Sequence, residues 1–343
     1  MARSASEPLS TNEMAAYSER GEAQLSVIIC TKDRPAELAR AIQSVRASSA
    51  AGRAAEIVVV EESDAPRGIP DVRYVHLPRA GRGIGYARNI GVEAARGDLL
   101  LFTDDDCEVE SVWIEALTAP FREDPTILGV AGAVMVRNCG VIGYAENILG
   151  FPGGGLRYLH AAGGQVVPTR YLSTCNCAYR REAVSRAGGF PEQARFSGED
   201  FILAQRITAL GPCVYTPRAV VYHQPRGRLE AIFHWFLRRG QDEIAILSTT
   251  AHRRRFIRFL LRSSWGLRAL LIIIVLARWP QIGVVLPMAA SVYYGTLLWR
   301  FKFACAYPRH RKAWWLVPIV KLTMDFGTEV GRWTALLSRR GSR

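Results

Sequence analysis

A short apolar run that ends in three aspartates constrains this chain more than any other feature. Residues Leu99 to Phe102 form a run of strand length, and Asp104, Asp105 and Asp106 follow it almost directly. A buried strand of this kind delivers acidic side chains to the carboxyl edge of an open α/β sheet, where ligands bind. Three adjacent carboxylates repel one another, and a hard divalent cation offsets that repulsion while attracting a diphosphate. The alternative interpretation is a solvated acidic turn.

Other apolar runs of strand length alternate with helical patterns along the first half of the chain. Strands are predicted at Leu25–Cys30, Ala55–Val60 and Val72–Leu77, and helices begin near Pro35 and Tyr86. Strands and helices that alternate at this spacing form right-handed βαβ units. The sequence therefore predicts an α/β fold with a mostly parallel sheet.

A glycine-rich loop, Gly81-Arg-Gly-Ile-Gly85, precedes the second predicted helix. It does not follow the first strand and lacks the G-x-G-x-x-G spacing, which disfavours a dinucleotide-binding fingerprint. An arginine-bearing loop at a helix N-terminus still suits phosphate oxygens. Arg82 and Arg88 are therefore candidates for phosphate binding, with surface ion pairs as the alternative. The longer glycine-rich stretch 137–172 is predicted to be irregular and to act as a lid or an acceptor-binding segment.

Several spaced motifs, taken in chain order, resemble a family 2 glycosyltransferase. The resemblance covers about residues 25–225 and implies the nucleotide-diphospho-sugar transferase (GT-A) fold. The chain departs from the family pattern at Glu61-Glu62, where paired aspartates are more frequent. The motifs that carry the resemblance are Val27-Ile-Ile-Cys-Thr31, Val58-Val-Val-Glu-Glu-Ser63, Ala87-Arg-Asn-Ile-Gly91, Leu101-Phe-Thr-Asp-Asp-Asp106 and Ser197-Gly-Glu-Asp200.

The resemblance implies a role for each residue at a matching position. Asp200, with Glu199 as runner-up, would take the proton of the acceptor hydroxyl in an inverting transfer. On the residues alone, both acids equally suit the first turn of a helix, with Ser197 as the N-cap. Asp106 and His223 would bind the metal, although a lone histidine at a strand end is usually structural. The residues expected to bind the nucleotide-sugar are Thr31, Arg34, Glu61, Arg82, Arg88, Asn89, Asp104, Asp105 and Arg239.

Charge is distributed unevenly along the chain. Residues 226–343 contain 21 Lys/Arg and 5 Asp/Glu, a net charge of about +16, whereas residues 1–225 carry about −3. Basic segments favour phosphate-rich partners, either nucleic acid or an anionic membrane surface. Long aliphatic runs separate the arginines here, which favours lipid, so no nucleic-acid partner is expected.

The same region contains amphipathic and apolar segments. His252–Arg262 is predicted as a basic amphipathic helix at a membrane surface. Ala269–Ala277 is apolar, and Trp279–Trp299 carries no charge over 21 residues. This pattern predicts a membrane-associated pair of segments with both ends on the cytoplasmic side. Two buried helices in a soluble appendage are the alternative, and the pattern leaves open whether the segments cross the bilayer or lie in it.

These observations divide the chain into four predicted regions and assign it to a compartment. Seven scattered cysteines, with Cys175 and Cys177 too closely spaced for a zinc hook, indicate reduced thiols in a cytosolic domain. The regions are a disordered tail (1–24), a GT-A catalytic domain (25–225), basic amphipathic connecting helices (226–262) and an apolar and basic helical membrane-associated region (263–343).

The function expected from the resemblance is a metal-dependent, inverting sugar transfer at the cell membrane, with the catalytic domain on the cytoplasmic side. The donor would be a nucleotide-diphospho-sugar, in the first place a UDP-sugar, and the cofactor Mn²⁺ or Mg²⁺. The acceptor would be a hydroxyl of a lipid-linked or cell-envelope glycan. Two alternatives are nucleotidyl transfer to sugar phosphates and a non-catalytic basic scaffold that binds membranes or nucleic acid.

Overall fold

The computed structural model describes residues 24–48, 55–79, 81–192, 196–249 and 265–338. These residues form two compact units. The first comprises the described residues up to Arg137 together with Gly150–Gln224, and the second comprises Asn138–Leu149 and the described residues from Pro225 onward. Nearly all of the predicted N-terminal tail and the predicted helix His252–Arg262 lie outside the described residues.

One mixed sheet contains all the strands described in the first unit. Its strand order is β3-β2-β1-β4-β8-β6-β9-β5, with β7 paired to β9. The strands are β1 (Leu25–Thr31), β2 (Glu56–Ser63), β3 (Arg73–Pro78), β4 (Leu99–Thr103), β5 (Cys107–Val109), β6 (Gly129–Met135), β7 (Val167–Pro168), β8 (Asn176–Arg180) and β9 (Cys213–His223).

The α-helices follow in chain order across both units. Short 3-10 segments at Pro280–Val284, Lys302–Ala306 and Trp314–Leu316 separate the later ones. The helices are α1 (Pro35–Ser48), α2 (Ile84–Ala94), α3 (Trp113–Glu123), α4 (Val141–Ile148), α5 (Gly155–Ala162), α6 (Arg181–Arg186), α7 (Glu199–Leu210), α8 (Leu229–Thr249), α9 (Trp265–Arg278), α10 (Val285–Arg300), α11 (Pro308–Arg311) and α12 (Val317–Ser338).

Strand direction changes beside the strand that carries the acidic triplet. Strands β3, β2, β1 and β4 run parallel, whereas β8 is antiparallel to both β4 and β6. The β6–β9 pair is parallel again. The predicted α/β class with a large sheet is confirmed, and the parallel arrangement holds for the four strands around the predicted nucleotide site.

Helices cover both faces of this sheet, which explains the continuous apolar strands. Val27 and Ile29 of β1 face a core that includes residues of α1 and α3, such as Trp113. Ile28 of the same strand faces a second core with residues of α2, α6 and α7, such as Leu203. A strand buried on both faces has no polar face to alternate with, so β4 is apolar until the chain emerges at Asp104.

The prediction that residues 137–172 are irregular was wrong, because α4 and α5 lie within this stretch. The glycines bound the second helix and do not interrupt it. Gly154 precedes α5 with φ 94° and Gly163 ends it with φ 56°. These positive angles strain residues that have a Cβ, so glycine marks the boundaries of the helix.

Helix α4 belongs to the second unit because its polar residues find partners far along the chain. Glu146 is fully buried, and Arg226 donates a hydrogen bond of 2.6 Å to it. The side chain of Asn147 lies 3.1 Å from Nε2 of His310 in α11. Burial of these groups without partners would be costly, so the two contacts fix α4 to this unit.

Glycines bring α8 and α12 into close contact in the second unit. A Cβ on Gly331 would lie 1.9 Å from the Leu237 carbonyl oxygen, and one on Gly240 would lie 2.2 Å from that of Thr328. Arg332 also pairs with Glu243 at 2.6 Å. Helix α12 therefore packs one side against α8. No helix in the described parts of the chain is both long and apolar enough to span a bilayer.

Candidate active site

Several of the predicted site residues gather at the carboxyl edge of β1, β2 and β4. Thr31 and Glu61 are direct partners in the β1–β2 register. The Thr31 hydroxyl donates a hydrogen bond of 2.7 Å to Asp105, which joins the end of β1 to the acidic triplet after β4. Parallel strands thus bring three separate parts of the sequence to one edge of the sheet. The strand order reverses between β1 and β4, and ligands bind at such a switch point in folds of this kind.

Each aspartate of the triplet has a different set of partners. Asp104 pairs with Arg88 at 3.0 Å. Asp105 points inward, where it accepts hydrogen bonds from Thr31 and, at 3.2 Å, from Arg34. Asp106 accepts a hydrogen bond of 3.0 Å from Arg34 and lies 3.3 Å from Nε2 of His223. Asp104 and Asp106 are therefore separated in role from Asp105, which supports the loop.

Burial, together with the negative charge of neighbouring carboxylates, raises the pKa values of Asp104 and Asp105. Burial raises the pKa of Asp105 to about 6, and the charge of Asp106 adds to this shift, whereas the Thr31 hydrogen bond and Arg34 oppose it. Burial also raises the pKa of Asp104, with Arg88 opposing the shift and Asp106 adding to it. A bound cation would reduce the repulsion among these neighbouring carboxylates.

A group of donor atoms suited to a metal lies at the centre of this cluster. Ligand atoms of Asp104, Asp106, Cys107 and His223 all lie within 4.8 Å of one another. Strand pairing places Cys107 directly opposite His223, which brings the end of β9 beside the triplet. Two carboxylates and an imidazole fit Mn²⁺ well and Mg²⁺ less closely. Burial holds the pKa of Cys107 well above its usual value, and sulfur is a soft ligand that suits a hard cation poorly.

Arg88 and Glu199 form a buried ion pair that joins α2 to the start of α7. Arg88 also reaches Asp104, so it bridges two predicted site carboxylates. Burial raises the pKa of Glu199 to about 7, and the charge of Arg88 opposes this shift. Despite burial, the charges of Glu199 and Asp104 raise the pKa of Arg88. The guanidinium therefore stays charged, and Glu199 is committed to holding it in place.

Asp200 is more accessible than Glu199 and is held at both oxygens. The Ser173 hydroxyl donates to Oδ2 at 3.1 Å, and the Phe201 backbone N–H donates to Oδ1 at 2.7 Å. The charge of Asp200 also acts on Arg88, which places it in the same neighbourhood as Asp104 and Glu199. The predicted N-cap, Ser197, was wrong: Gly198 takes that position with φ 93° and without a side-chain cap.

Glu61 is fully buried and already paired. Arg67 donates to both of its oxygens, and the Tyr74 hydroxyl donates to Oε2 at 2.8 Å. Burial raises the pKa of Glu61, but the hydrogen bonds from Arg67 and Tyr74 outweigh it and lower the pKa below its usual value. The partly exposed Arg67 is thus the charged group of this cluster nearest to solvent.

The remaining predicted residues lie in three different settings. Asn89 exchanges two hydrogen bonds with the Phe190 backbone, at 3.0 and 2.8 Å, so both of its polar atoms hold a turn. The guanidinium of Arg82 lies 3.4 Å from the centre of the Tyr86 ring and remains exposed. Arg239 belongs to α8 of the second unit, where its guanidinium lies 5.7 Å from the ring centre of Trp235.

Sequence reasoning missed Ser173, Arg67 and Cys107 as part of this site. Ser173 is 27 residues from its partner Asp200, and no local pattern marks it. Arg67 follows β2 in a stretch without a recognisable motif. Cys107 directly follows the triplet, so its proximity was the one available signal.

All seven cysteines lie within the described residues, and none of them forms a disulfide.

Comparisons with known proteins agree on the nature of the first unit. Residues 26–188 match the model of glycosyl transferase family 2. The succinoglycan biosynthesis protein ExoM of Rhizobium meliloti is 28% identical over 268 residues, which cover 71% of this chain and 79% of that protein. The glucosyl-dolichyl phosphate glucuronosyltransferase of Haloferax volcanii is 31% identical over 122 residues, which cover 33% of this chain and 38% of that enzyme.

A solved structure shares the fold over almost the whole chain. It is a mannosyltransferase from Pyrobaculum calidifontis in complex with GDP-Man and Mn²⁺, which matches with a TM-score of 0.58 and 17% identity. The match covers 93% of this chain and 92% of that one. At this identity the likeness concerns the fold, and the roles of individual residues rest on the geometry described above.

Proposed function

Because residues 26–188 carry a glycosyl transferase family 2 domain, we propose that this glycosyltransferase moves a sugar from a nucleotide-diphospho-sugar to an acceptor hydroxyl, with inversion at the anomeric carbon. The observation that carries the proposal is the cluster of Asp104, Asp106 and His223 in the neighbourhood of a separate, accessible carboxylate, Asp200. The first three suit a cation, and the fourth suits a base.

A divalent cation held by Asp104, Asp106 and His223 would supply positive charge for the departing diphosphate. The chain adds its own positive groups at the same edge of the sheet. Arg34 is half exposed and contacts both Asp105 and Asp106. Arg88 is buried and contacts Asp104. These guanidinium groups hold the phosphate oxygens and the carboxylates in a fixed arrangement, so little reorganisation is needed as charge develops.

Asp200 would accept the proton of the acceptor hydroxyl as its oxygen attacks the anomeric carbon. The hydrogen bonds from Ser173 and from the Phe201 N–H keep the carboxylate in one orientation. Glu199 is buried against Arg88 and positions that guanidinium. Two adjacent acids thus have different roles because their surroundings differ.

The names of the relatives support an acceptor that belongs to a lipid-linked or surface glycan. One relative acts on a glucosyl-dolichyl phosphate, and another takes part in succinoglycan biosynthesis. We therefore propose a lipid-linked or cell-envelope acceptor, with a UDP-sugar as the first donor to test and a GDP-sugar as the second. Mn²⁺ and Mg²⁺ are both candidates for the cation.

A screen of nucleotide-sugars tests this proposal. The purified full chain is incubated with UDP-, GDP- and dTDP-sugars and Mn²⁺ or Mg²⁺, and release of the nucleoside diphosphate is measured with and without a chelator. We expect metal-dependent release from one donor class, and we expect Asp106→Asn to abolish metal-dependent nucleotide binding. Release of pyrophosphate would indicate nucleotidyl transfer instead, and binding unaffected by the chelator would overturn the metal assignment.

A further inference from the structure

The apolar helix pair 265–300, which consists of α9, the 3-10 segment Pro280–Val284 and α10, is exposed over most of its described surface. Ile273 is 61% exposed and Val292 is 63% exposed, and Ile274 and Met288 are similar. Among the side chains of this pair whose burial the structure describes, the buried ones are Leu297 and Leu298, near the end of α10. Several large apolar side chains exposed on one element indicate an interaction site, and a helix that is apolar all round requires an apolar environment.

The charge around the helix pair identifies the partner. Residues 244–324 contain 13 Lys/Arg and no Asp or Glu. A second copy of this chain would bring the same positive charge to the same surface, so self-association through it would be opposed by repulsion. An anionic lipid surface supplies both the apolar medium and the opposite charge.

Aromatic and basic residues mark the level at which the pair would meet a membrane. The guanidinium of Arg278 lies 5.3 Å from the ring centre of Trp279, at the junction between α9 and the 3-10 segment. Nζ of Lys302 lies 5.5 Å from the ring centre of Trp299, just beyond the other end. Tryptophan and basic side chains prefer the boundary between headgroups and acyl chains, and a charge at the bilayer centre is costly.

We propose that the helix pair 265–300 lies in the plane of an anionic membrane surface, with its apolar side chains in the acyl boundary and Arg278, Arg300 and Lys302 at the phosphates. Arg278 lies at the junction between the two helices. When the pair lies along the surface, its two ends and this junction are at the same depth in the membrane. The cytoplasmic leaflet, which is rich in anionic lipid, is the matching surface. This proposal stands independently of the sugar-transfer reaction.

Vesicle binding by the full chain tests the proposal. The protein is mixed with vesicles of neutral phosphatidylcholine or of phosphatidylcholine with phosphatidylglycerol, and the bound fraction is measured by flotation at low and high salt. We expect binding to the anionic vesicles that weakens with salt. The double variant Ile273→Glu/Val292→Glu should bind at least about tenfold more weakly, because two charges replace apolar groups that the membrane would bury.

A matched control uses exposed apolar residues of the first unit. Val112 is 53% exposed and Val166 is 46% exposed, so Val112→Glu/Val166→Glu introduces the same charge elsewhere and should leave binding unchanged. Separately, replacing Arg278, Arg300 and Lys302 by Gln should weaken binding to anionic vesicles by about fivefold per residue without affecting the neutral ones.

Quenching of tryptophan fluorescence in the wild-type protein tests the proposal even if a charged variant fails to fold. Brominated lipids should quench tryptophan emission in the wild type, and Trp279→Phe should reduce that quenching. Vesicle binding equal to wild type in the Ile273→Glu/Val292→Glu variant, or a dimer that forms through this surface while vesicles are ignored, would overturn the proposal. Asp106→Asn should bind vesicles normally, so a failure of sugar transfer alone would leave this inference intact.

Discussion

The two units of the molecule use charge in opposite ways. In the first unit, acidic side chains crowd one sheet edge, and each is tied to an arginine, a hydroxyl or a histidine within about hydrogen-bond distance. In the second unit, basic side chains surround exposed apolar helices in a stretch without acidic residues. Fixed, buried charge suits chemistry on a small substrate, whereas exposed charge beside apolar surface suits an extended partner.

The strongest test of this contrast is Asp200, which is the proposed base of the candidate site and is more accessible than its neighbour Glu199. We expect Asp200→Asn to lower kcat by about 10²–10⁴-fold, since it removes a general base, while nucleotide binding with metal stays close to wild type. The measurement is steady-state transfer beside calorimetric binding of the nucleoside diphosphate. Transfer at the normal rate by Asp200→Asn would show that another group takes the proton. Glu199→Gln is the neighbouring control, with a smaller loss of turnover.

Arg88 tests whether buried charge in the first unit depends on pairing. Arg88→Met should lower the free energy of unfolding by about 3 kcal/mol or more, because Glu199 is left buried without its partner. The pKa of Glu199 is already raised by burial, to about 7, so protonation relieves the isolated acid at low pH. Thermal denaturation should therefore show a larger loss at pH 8 than at pH 6. An equal loss at both values would contradict the pairing argument.

The second unit depends instead on close packing between α8 and α12. Gly331→Ala should destabilise the protein by about 1–3 kcal/mol, because the new Cβ meets the backbone oxygen of Leu237. Gly295→Ala is the matched control: a Cβ there meets no described atom within 4 Å, and alanine favours a helix over glycine by roughly 0.5–1 kcal/mol. Denaturant unfolding compares the two, and equal effects would show that α8 and α12 do not depend on this contact.

His310 makes the second unit sensitive to acid. Burial lowers its pKa to about 4, and the charge of Arg309 adds to the shift. A histidine with a lowered folded-state pKa contributes stability that is present above pH 6.5 and lost as the pH falls towards 4. Stability should decline by about 2 kcal/mol over that interval. His310→Gln should flatten this part of the stability profile; an unchanged slope would assign the sensitivity to other groups.

Ser173 should show the smallest effect. Ser173→Ala removes one of the two hydrogen bonds that orient Asp200, so kcat should fall by about fivefold. KM for the donor should stay the same. Ser173→Thr keeps the hydroxyl and should restore kcat, whereas a loss of kcat shared by both variants would indicate a packing role.

The sequence predicted those features that depend on local pattern. The apolar run before Asp104 identified β4 and the edge where ligands bind, and the spaced motifs identified the fold. Contacts between distant segments were beyond reach: Ser173 meets Asp200, and Arg67 occupies Glu61, because the fold brings these segments together. The N-cap at Ser197 was wrong since a glycine with a positive φ takes that place, and the helices in 137–172 were missed because flanking glycines resembled a loop.

The insertion of α4 into the second unit has a consequence for how such proteins exchange parts during evolution. In the sequence, Glu146 precedes the last three strands of the first unit, β7 to β9, whereas its partner Arg226 follows them. A recombination event that replaced everything after Gln224 with an unrelated module would leave Glu146 buried without its counter-charge. The C-terminal region can therefore be inherited or swapped intact only when a short passage from the middle of the gene travels with it.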